Sequence, residues 1–108
     1  MSMQLISGKN FGEILPCLRA LSDPIRLNVI SLLQKKEMCV CDICDILQIK
    51  QPKLSFHLKA LRESGLLNTR QQGRWVYYSI NPQQFELVID YLAQYLNGET
   101  ISVKECCR

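Results

Sequence analysis

Up to Gly65 the apolar residues of this chain recur at helical spacing, and from Leu66 to Ile80 they do not. A chain with that break must join a group of helices to something extended. Phe11, Ile14, Leu15, Leu18 and Leu21 mark a first amphipathic helix over Phe11–Leu21. Ser22-Asp23-Pro24 then offers a cap and a first-turn proline, which predicts a second helix over residues 25–33. After the polar link Lys35-Lys36-Glu37, the residues Val40, Ile43 and Leu47 put one apolar stripe on a short third helix. Cys39 falls at or near its cap, and Asp42 is favourably placed in its first turn. Only Gln48-Ile49-Lys50-Gln51 separates that helix from the next start at Pro52, and Leu54, Leu58 and Leu61 line a fourth helix that stops at Gly65.

Two short helices joined by about four residues have the proportions of a helix-turn-helix. Past Gly65, residues 66–71 and Trp75–Ile80 read as strands around the turn Gln72-Gly73-Arg74. Asn81-Pro82 ends the second strand, and Phe85, Val88, Ile89, Leu92 and Leu96 mark a last helix. Four helices, a hairpin and a helix make an α+β winged helix-turn-helix. The 108 residues suffice for one hydrophobic core and fall short of two domains. The expected organisation is an N-terminal arm over 1–10, a folded domain over 11–96 and a mobile tail over 97–108.

No apolar run approaches the length needed to cross a bilayer, so no membrane partner is expected. The first ten residues also lack the basic start, apolar middle and small-residue end of an export signal, which implies the cytoplasm. In that reducing compartment the six cysteines are expected as free thiols that bind something soft, the alternative being small buried hydrophobes.

A formal charge of +3 permits nucleic acid as a partner without demanding it. The distribution is more telling. Between Gln48 and Tyr78 stand six Lys or Arg (Lys50, Lys53, Lys59, Arg62, Arg70 and Arg74) against the single acid Glu63. With the leucines of the fourth helix turned inward, Gln51, Lys53, Ser55, Phe56, His57, Lys59 and Arg62 spread over the rest of that helix. Lys and Arg suit phosphates, whereas Gln, Ser and Lys53 have groups suited to base edges in a major groove. Arg70 and Arg74 stand near the hairpin tip, where they can follow the adjacent backbone or enter a minor groove. The competing reading of this patch is a merely solvated face. His57, the only histidine, also admits a packing or hydrogen-bonding role inside the domain, and Trp75, Tyr77 and Tyr78 fit strand packing better than base stacking.

Cys39, Cys41 and Cys44 place three thiols within six residues. Three sulfurs with no fourth ligand nearby suit a trivalent metalloid better than zinc, which takes four protein ligands, or three and water. On a regular helix Cys41 and Cys44 stand about 60° apart, whereas Cys39 would be about 200° from Cys41. Three-way coordination therefore needs Cys39 in a non-helical cap conformation, or an unwound first turn. Either would strain the short connection to the fourth helix. A helix N-terminus also favours thiolate over thiol.

The stretches Leu21-Ser22-Asp23-Pro24-Ile25-Arg26-Leu27, Leu54-Ser55-Phe56-His57-Leu58-Lys59-Ala60-Leu61-Arg62-Glu63-Ser64-Gly65-Leu66 and Gly73-Arg74-Trp75-Val76-Tyr77-Tyr78 resemble the ArsR/SmtB family of winged-helix metalloregulators. With the element order, the resemblance covers about residues 11–96. It departs at Lys50, where members commonly place Ser or Thr before the recognition helix. The resemblance implies a repressor that binds double-stranded operator DNA as a homodimer through its first and last helices and lets go when an inducer binds. Glu37-Met38-Cys39-Val40-Cys41-Asp42-Ile43-Cys44 is similar to the site of the arsenic-responsive members, which implies arsenite or antimonite as inducer on Cys39, Cys41 and Cys44. Cadmium and lead sensors of the family share the first two cysteines and recruit others from an N-terminal extension, where this chain offers only Cys17. Zinc sensors carry carboxylates and histidines on the last helix, where this chain has Asp90 and no histidine.

Cys17 is expected in the core or an interface, and Cys106 and Cys107 are possible accessory thiols. The alternatives to a metalloid-responsive repressor are a thiol redox regulator, a cadmium- or lead-responsive repressor, a protein-interaction module and a thiol enzyme. Cys41-Asp42-Ile43-Cys44 superficially resembles a redox pair, yet no phosphate-cradling loop surrounds it. No turnover and no catalytic cofactor are expected.

Overall fold

The computed structural model describes residues 11–98, excluding the side chain of Phe11. The expected arm, most of the expected tail, and Cys106 and Cys107 with it, lie outside the described residues. The elements are α1 (Phe11–Leu21), α2 (Pro24–Leu33), β1 (Met38–Cys39), α3 (Val40–Leu47), α4 (Gln51–Glu63), β2 (Leu67–Gln72), β3 (Trp75–Ile80) and α5 (Pro82–Asn97). This is the α+β winged helix-turn-helix expected from the sequence.

Local chemistry sets each boundary. The Asp23 carboxylate accepts from the backbone N–H of Ile25 at 2.8 Å and of Arg26 at 3.2 Å, capping α2 as its Ser-Asp-Pro start predicts. Burial pushes the Asp23 carboxyl up, but those two N–H donors and the charges of His57 and Arg26 outweigh it and hold the group below its usual range. α3 ends on Gln48, a non-glycine residue with φ of 56°. The backbone N–H groups of Gln48 and Ile49 both return to the carbonyl of Cys44 there. α4 ends in a Schellman arrangement: Leu66 N–H reaches the Leu61 carbonyl, Gly65 N–H reaches that of Arg62, and Gly65 takes φ of 87°. The backbone therefore favours glycine, and a Cβ at Gly65 would also stand 3.0 Å from the side-chain amide of Gln84 of α5, which would have to give way.

The strands form one antiparallel sheet in the order β1-β3-β2. Gln72 pairs with Trp75, leaving the two-residue loop Gly73-Arg74 with a positive φ at Gly73. β1 is an addition to the sequence reading, which took Lys35 to Glu37 as a link running straight into a helix. Met38 and Cys39 instead pair with Tyr78 and Tyr77. Two residues are too few to show a period, and only the partner strand reveals them.

The core gathers Ile14, Cys17 and Ala20 of α1, Val29 and Leu33 of α2, Met38, Ile43, the inner face of α4, Leu66, Leu67 and Val88. Cys17 is fully buried, as a core cysteine would be. Its thiol donates to the Ser64 carbonyl at 3.3 Å and accepts from Gln84 Nε2 at 3.3 Å, tying α1, the end of α4 and α5 together. Ile89, Leu92 and Leu96 remain exposed along α5. No helix among the described residues is long and apolar enough to cross a membrane.

Candidate nucleic-acid interface and thiol site

α4 presents its polar residues from a firm base. Leu54, Leu58 and Leu61 are buried to within 1% and take the inner face, as their spacing requires. Gln51, Lys53, Ser55, Phe56, Lys59 and Arg62 are all exposed on the remaining surface. Proline stands in the first turn, but Lys50 at the N-cap makes no side-chain bond to the helix, the physical consequence of its departure from Ser or Thr.

His57 differs from the exposed set in which the sequence placed it. The imidazole is 7% exposed, and its Nδ1 accepts from Arg26 Nε at 2.9 Å. Its position beside Leu58 and Leu61 on the inner face explains this, and the intradomain hydrogen bond that the sequence allowed is what forms. The Phe56 ring, though exposed, packs edge-on to His57 with 5.3 Å between centroids, and the Arg26 guanidinium lies 5.7 Å from its centre. Arg26 was not among the residues singled out. The single charged side chain of α2 was the available signal, and its partner on α4 was not visible.

The two hairpin arginines, equivalent in sequence, have different surroundings. Arg74 sits in the loop itself, its guanidinium 5.8 Å from the centre of the Trp75 ring. Arg70 faces back toward β1. Its Nε donates to both Glu37 carboxylate oxygens at 3.0 and 3.2 Å, its Nη1 donates to Gln72 Oε1 at 2.7 Å, and the guanidinium lies 4.8 Å from the Tyr77 ring centre. The Arg70 hydrogen bond holds the Glu37 carboxyl below its usual range, and Glu37 raises Arg70 in return. Arg70 is thus engaged by Glu37 and Gln72, while its side chain remains about half exposed at 51%.

The three thiols flank the start of α3. Cys39 is the N-cap, with extended backbone angles of −86° and 168°, so of the two arrangements that the sequence left open, a non-helical cap and an unwound first turn, the first is the one observed. Its thiol donates to Asp42 Oδ2 at 3.4 Å. Cys41 is exposed and Cys44 half-buried, packed against the core. All three are free thiols. Among the described residues no three His, Cys, Asp or Glu side chains already stand together as a metal-holding group. Burial pushes the Cys44 thiol up, and Cys41 and Asp45 add to the shift. The expectation of a thiolate favoured by the helix N-terminus therefore does not extend to Cys44. It lies in the second turn, where the dipole has faded and desolvation wins.

Comparison with known proteins identifies the family and the fold. Residues 23–69 match the model of the bacterial regulatory protein arsR family. The chain is 35% identical to the arsenical resistance operon repressor of Staphylococcus xylosus over 97 residues, 90% of this chain and 89% of that protein. It is 51% identical to the arsenical resistance operon repressor of Escherichia coli over 65 residues, 59% of this chain and 56% of that one. Among solved structures, the homodimeric winged helix-turn-helix DNA-binding domain of a possible ArsR-family transcriptional regulator from Mycobacterium bovis superposes with a TM-score of 0.65. It is 25% identical, with 85% of this chain and 89% of that chain covered.

Proposed function

Because this chain belongs to the arsR family of bacterial regulatory proteins, and is a DNA-binding regulator rather than an enzyme, we propose that it represses transcription until arsenite or antimonite binds Cys39, Cys41 and Cys44. The observation that carries this reading is the pairing of the extended Cys39 cap with Cys41 and Cys44 on the helix it opens. The similarity to arsenical resistance operon repressors supports the same inducer.

The chemistry is ligand exchange without oxidation. Arsenous acid meets three thiols, three arsenic–sulfur bonds replace three arsenic–oxygen bonds, and each displaced hydroxide takes a thiol proton and leaves as water. Soft sulfur donors favour this ion over the oxygen-seeking cations. The sulfurs must first be gathered, and Cys44 must turn from its half-buried position. The same residue's carbonyl holds the left-handed turn at Gln48 and Ile49 that leads into α4. A shift of Cys44 therefore moves the base of the recognition helix, which makes metalloid binding and operator binding alternatives.

The operator-binding form is a homodimer built through α1 and α5 in the cytoplasm. In support, Ile89, Leu92 and Leu96 leave an apolar stripe on α5 that a second copy would cover. Gln51, Lys53, Ser55 and Phe56 face base edges, Lys59 and Arg62 face phosphates, and Arg74 reaches the backbone beside the hairpin. The test is fluorescence anisotropy of the reduced protein on the DNA upstream of its own gene, over a range of salt, with arsenite added and zinc and cadmium as comparisons. Steep loss of affinity with salt and release by arsenite alone are expected. Tight binding that ignores arsenite would leave a DNA-binding protein and reject the inducer.

A further inference from the structure

One face of the small sheet carries a closed circuit of contacts that the DNA-binding surface does not account for. Cys39 pairs with Tyr77, and Tyr77 pairs with Arg70, so the three side chains lie on the same face in adjacent strands. The Arg70 guanidinium covers the Tyr77 ring and grips Glu37 through both carboxylate oxygens. Glu37 precedes Cys39 by two residues and so completes the circuit on the segment where it began.

We propose that the Glu37–Arg70 pair is a positioning clamp that sets the hairpin against β1, so that displacement of Cys39 is felt at the hairpin as well as at the recognition helix. The first half follows from the geometry alone; the second rests on the metalloid reading above. β1 contributes only two residues to the ladder, too few to hold a hairpin whose outer strand is exposed from Asn68 to Gln72. The forked, stacked guanidinium adds a side-chain tie between β2 and Glu37, the residue that leads into β1, although β1 and β2 are not neighbours in the sheet. Capture of a metalloid pulls Cys39 toward α3, away from Tyr77, and the clamp carries that movement to β2. Arg70 thereby acts on DNA through the hairpin's position, and Arg74 in the loop is the hairpin's phosphate contact.

The rival role for Arg70 predicts effects of opposite sign. If Glu37 merely holds Arg70 back from phosphate, Glu37→Gln removes a repelling charge, frees a cation and tightens DNA binding. If the pair is a clamp, the same substitution loosens the hairpin and weakens binding, roughly threefold for an exposed pair. Arg70→Lys sharpens the distinction, since lysine keeps the charge but loses the fork and the stack. The clamp predicts that Arg70→Lys behaves like Glu37→Gln and that Glu37→Asp, which keeps the carboxylate, restores part of the loss.

The experiment measures the anisotropy of the full-length reduced protein on its upstream DNA for the wild type and these three variants. The emission of Trp75, the single tryptophan, is followed in the same samples as arsenite is added. Weaker binding by Glu37→Gln and Arg70→Lys is expected, with an arsenite-dependent change in Trp75 emission that Glu37→Gln cuts by more than half. Tighter binding by Glu37→Gln, or wild-type affinity for Arg70→Lys, overturns the clamp. Release of DNA by arsenite with silent Trp75, or an undiminished change in Glu37→Gln, overturns the transmission while the inducer stands. If neither DNA binding nor Trp75 in the wild type responds to arsenite, the metalloid reading and the transmission fail together. The sign of the Glu37→Gln effect still decides the clamp.

Discussion

The recognition helix α4 and the β1–α3 junction both carry the side chains that define this protein, but they are held in opposite ways. α4 sinks Leu54, His57, Leu58 and Leu61 into the domain and ends in a fully bonded cap, so its outer residues stand on a fixed platform. The junction has Met38 and Ile43 buried and only a two-residue strand; its cap residue satisfies none of the orphan N–H groups of α3 with its side chain, a feature it shares with Lys50 on α4. A surface that reads DNA needs preformed geometry. On the function proposed above, a site that gathers three sulfurs on contact with its ligand needs freedom to move, and the segment that carries them is tied to the sheet by two residues alone.

The largest expected effect tests that contrast in packing. Leu61→Ala removes a fully buried side chain from beneath α4 and should cost about 2–5 kcal/mol, whereas Ile43→Ala at the junction, a truncation of the same kind at an equally buried position, should fall at the low end of that range. Urea unfolding of the reduced proteins at one fixed protein concentration measures both, since dimerisation would make the midpoint concentration-dependent. Similar losses at the two positions would remove the distinction between platform and hinge. The next effect separates the regions by function. Cys41 is exposed and makes no packing contribution, so Cys41→Ser should leave DNA affinity within about twofold of the wild type. The same variant should lose release by arsenite altogether. Release preserved in Cys41→Ser would move the working site to other thiols.

The same contrast explains what the sequence made legible. On α4, leucines at positions 54, 58 and 61 and a glycine at 65 announce inner face and stop, because helical periodicity and positive φ leave local signatures. The Asp23 cap and the hairpin loop were legible for the same reason. The thiol cluster was visible as a spacing, and an extended Cys39 was one of the two arrangements that three-way coordination would need, an unwound first turn being the other. What escaped was everything that depends on two distant segments meeting. β1 exists only because β3 lies beside it, His57 is engaged only because Arg26 of α2 reaches it, and Arg70 is occupied only because Glu37 stands 33 residues earlier in the chain and opposite in space. None of these contacts has a period to read.

The smallest effect concerns the speed of the sensor and not its endpoint. Thiolate, not thiol, attacks the metalloid, and burial together with Cys41 and Asp45 holds the Cys44 thiol above its usual range. A raised thiol is protonated near neutrality, and its thiolate fraction climbs about tenfold per pH unit until the pKa is reached. If Cys44 closes the three-sulfur site last, capture of arsenite by the wild type should quicken from pH 7 to pH 8, by up to about tenfold. The final occupancy should change little, because exchange of three thiols for three waters neither releases nor takes up a net proton while the thiols are protonated. Stopped-flow Trp75 emission and DNA release, followed in parallel, measure the rate. Asp45→Asn removes one of the charges that raise Cys44 and should shift the same curve toward lower pH. A rate that ignores both pH and Asp45→Asn would mean that an exposed thiol controls capture, and the junction would then respond to its ligand without the rearrangement of Cys44 that links it to α4.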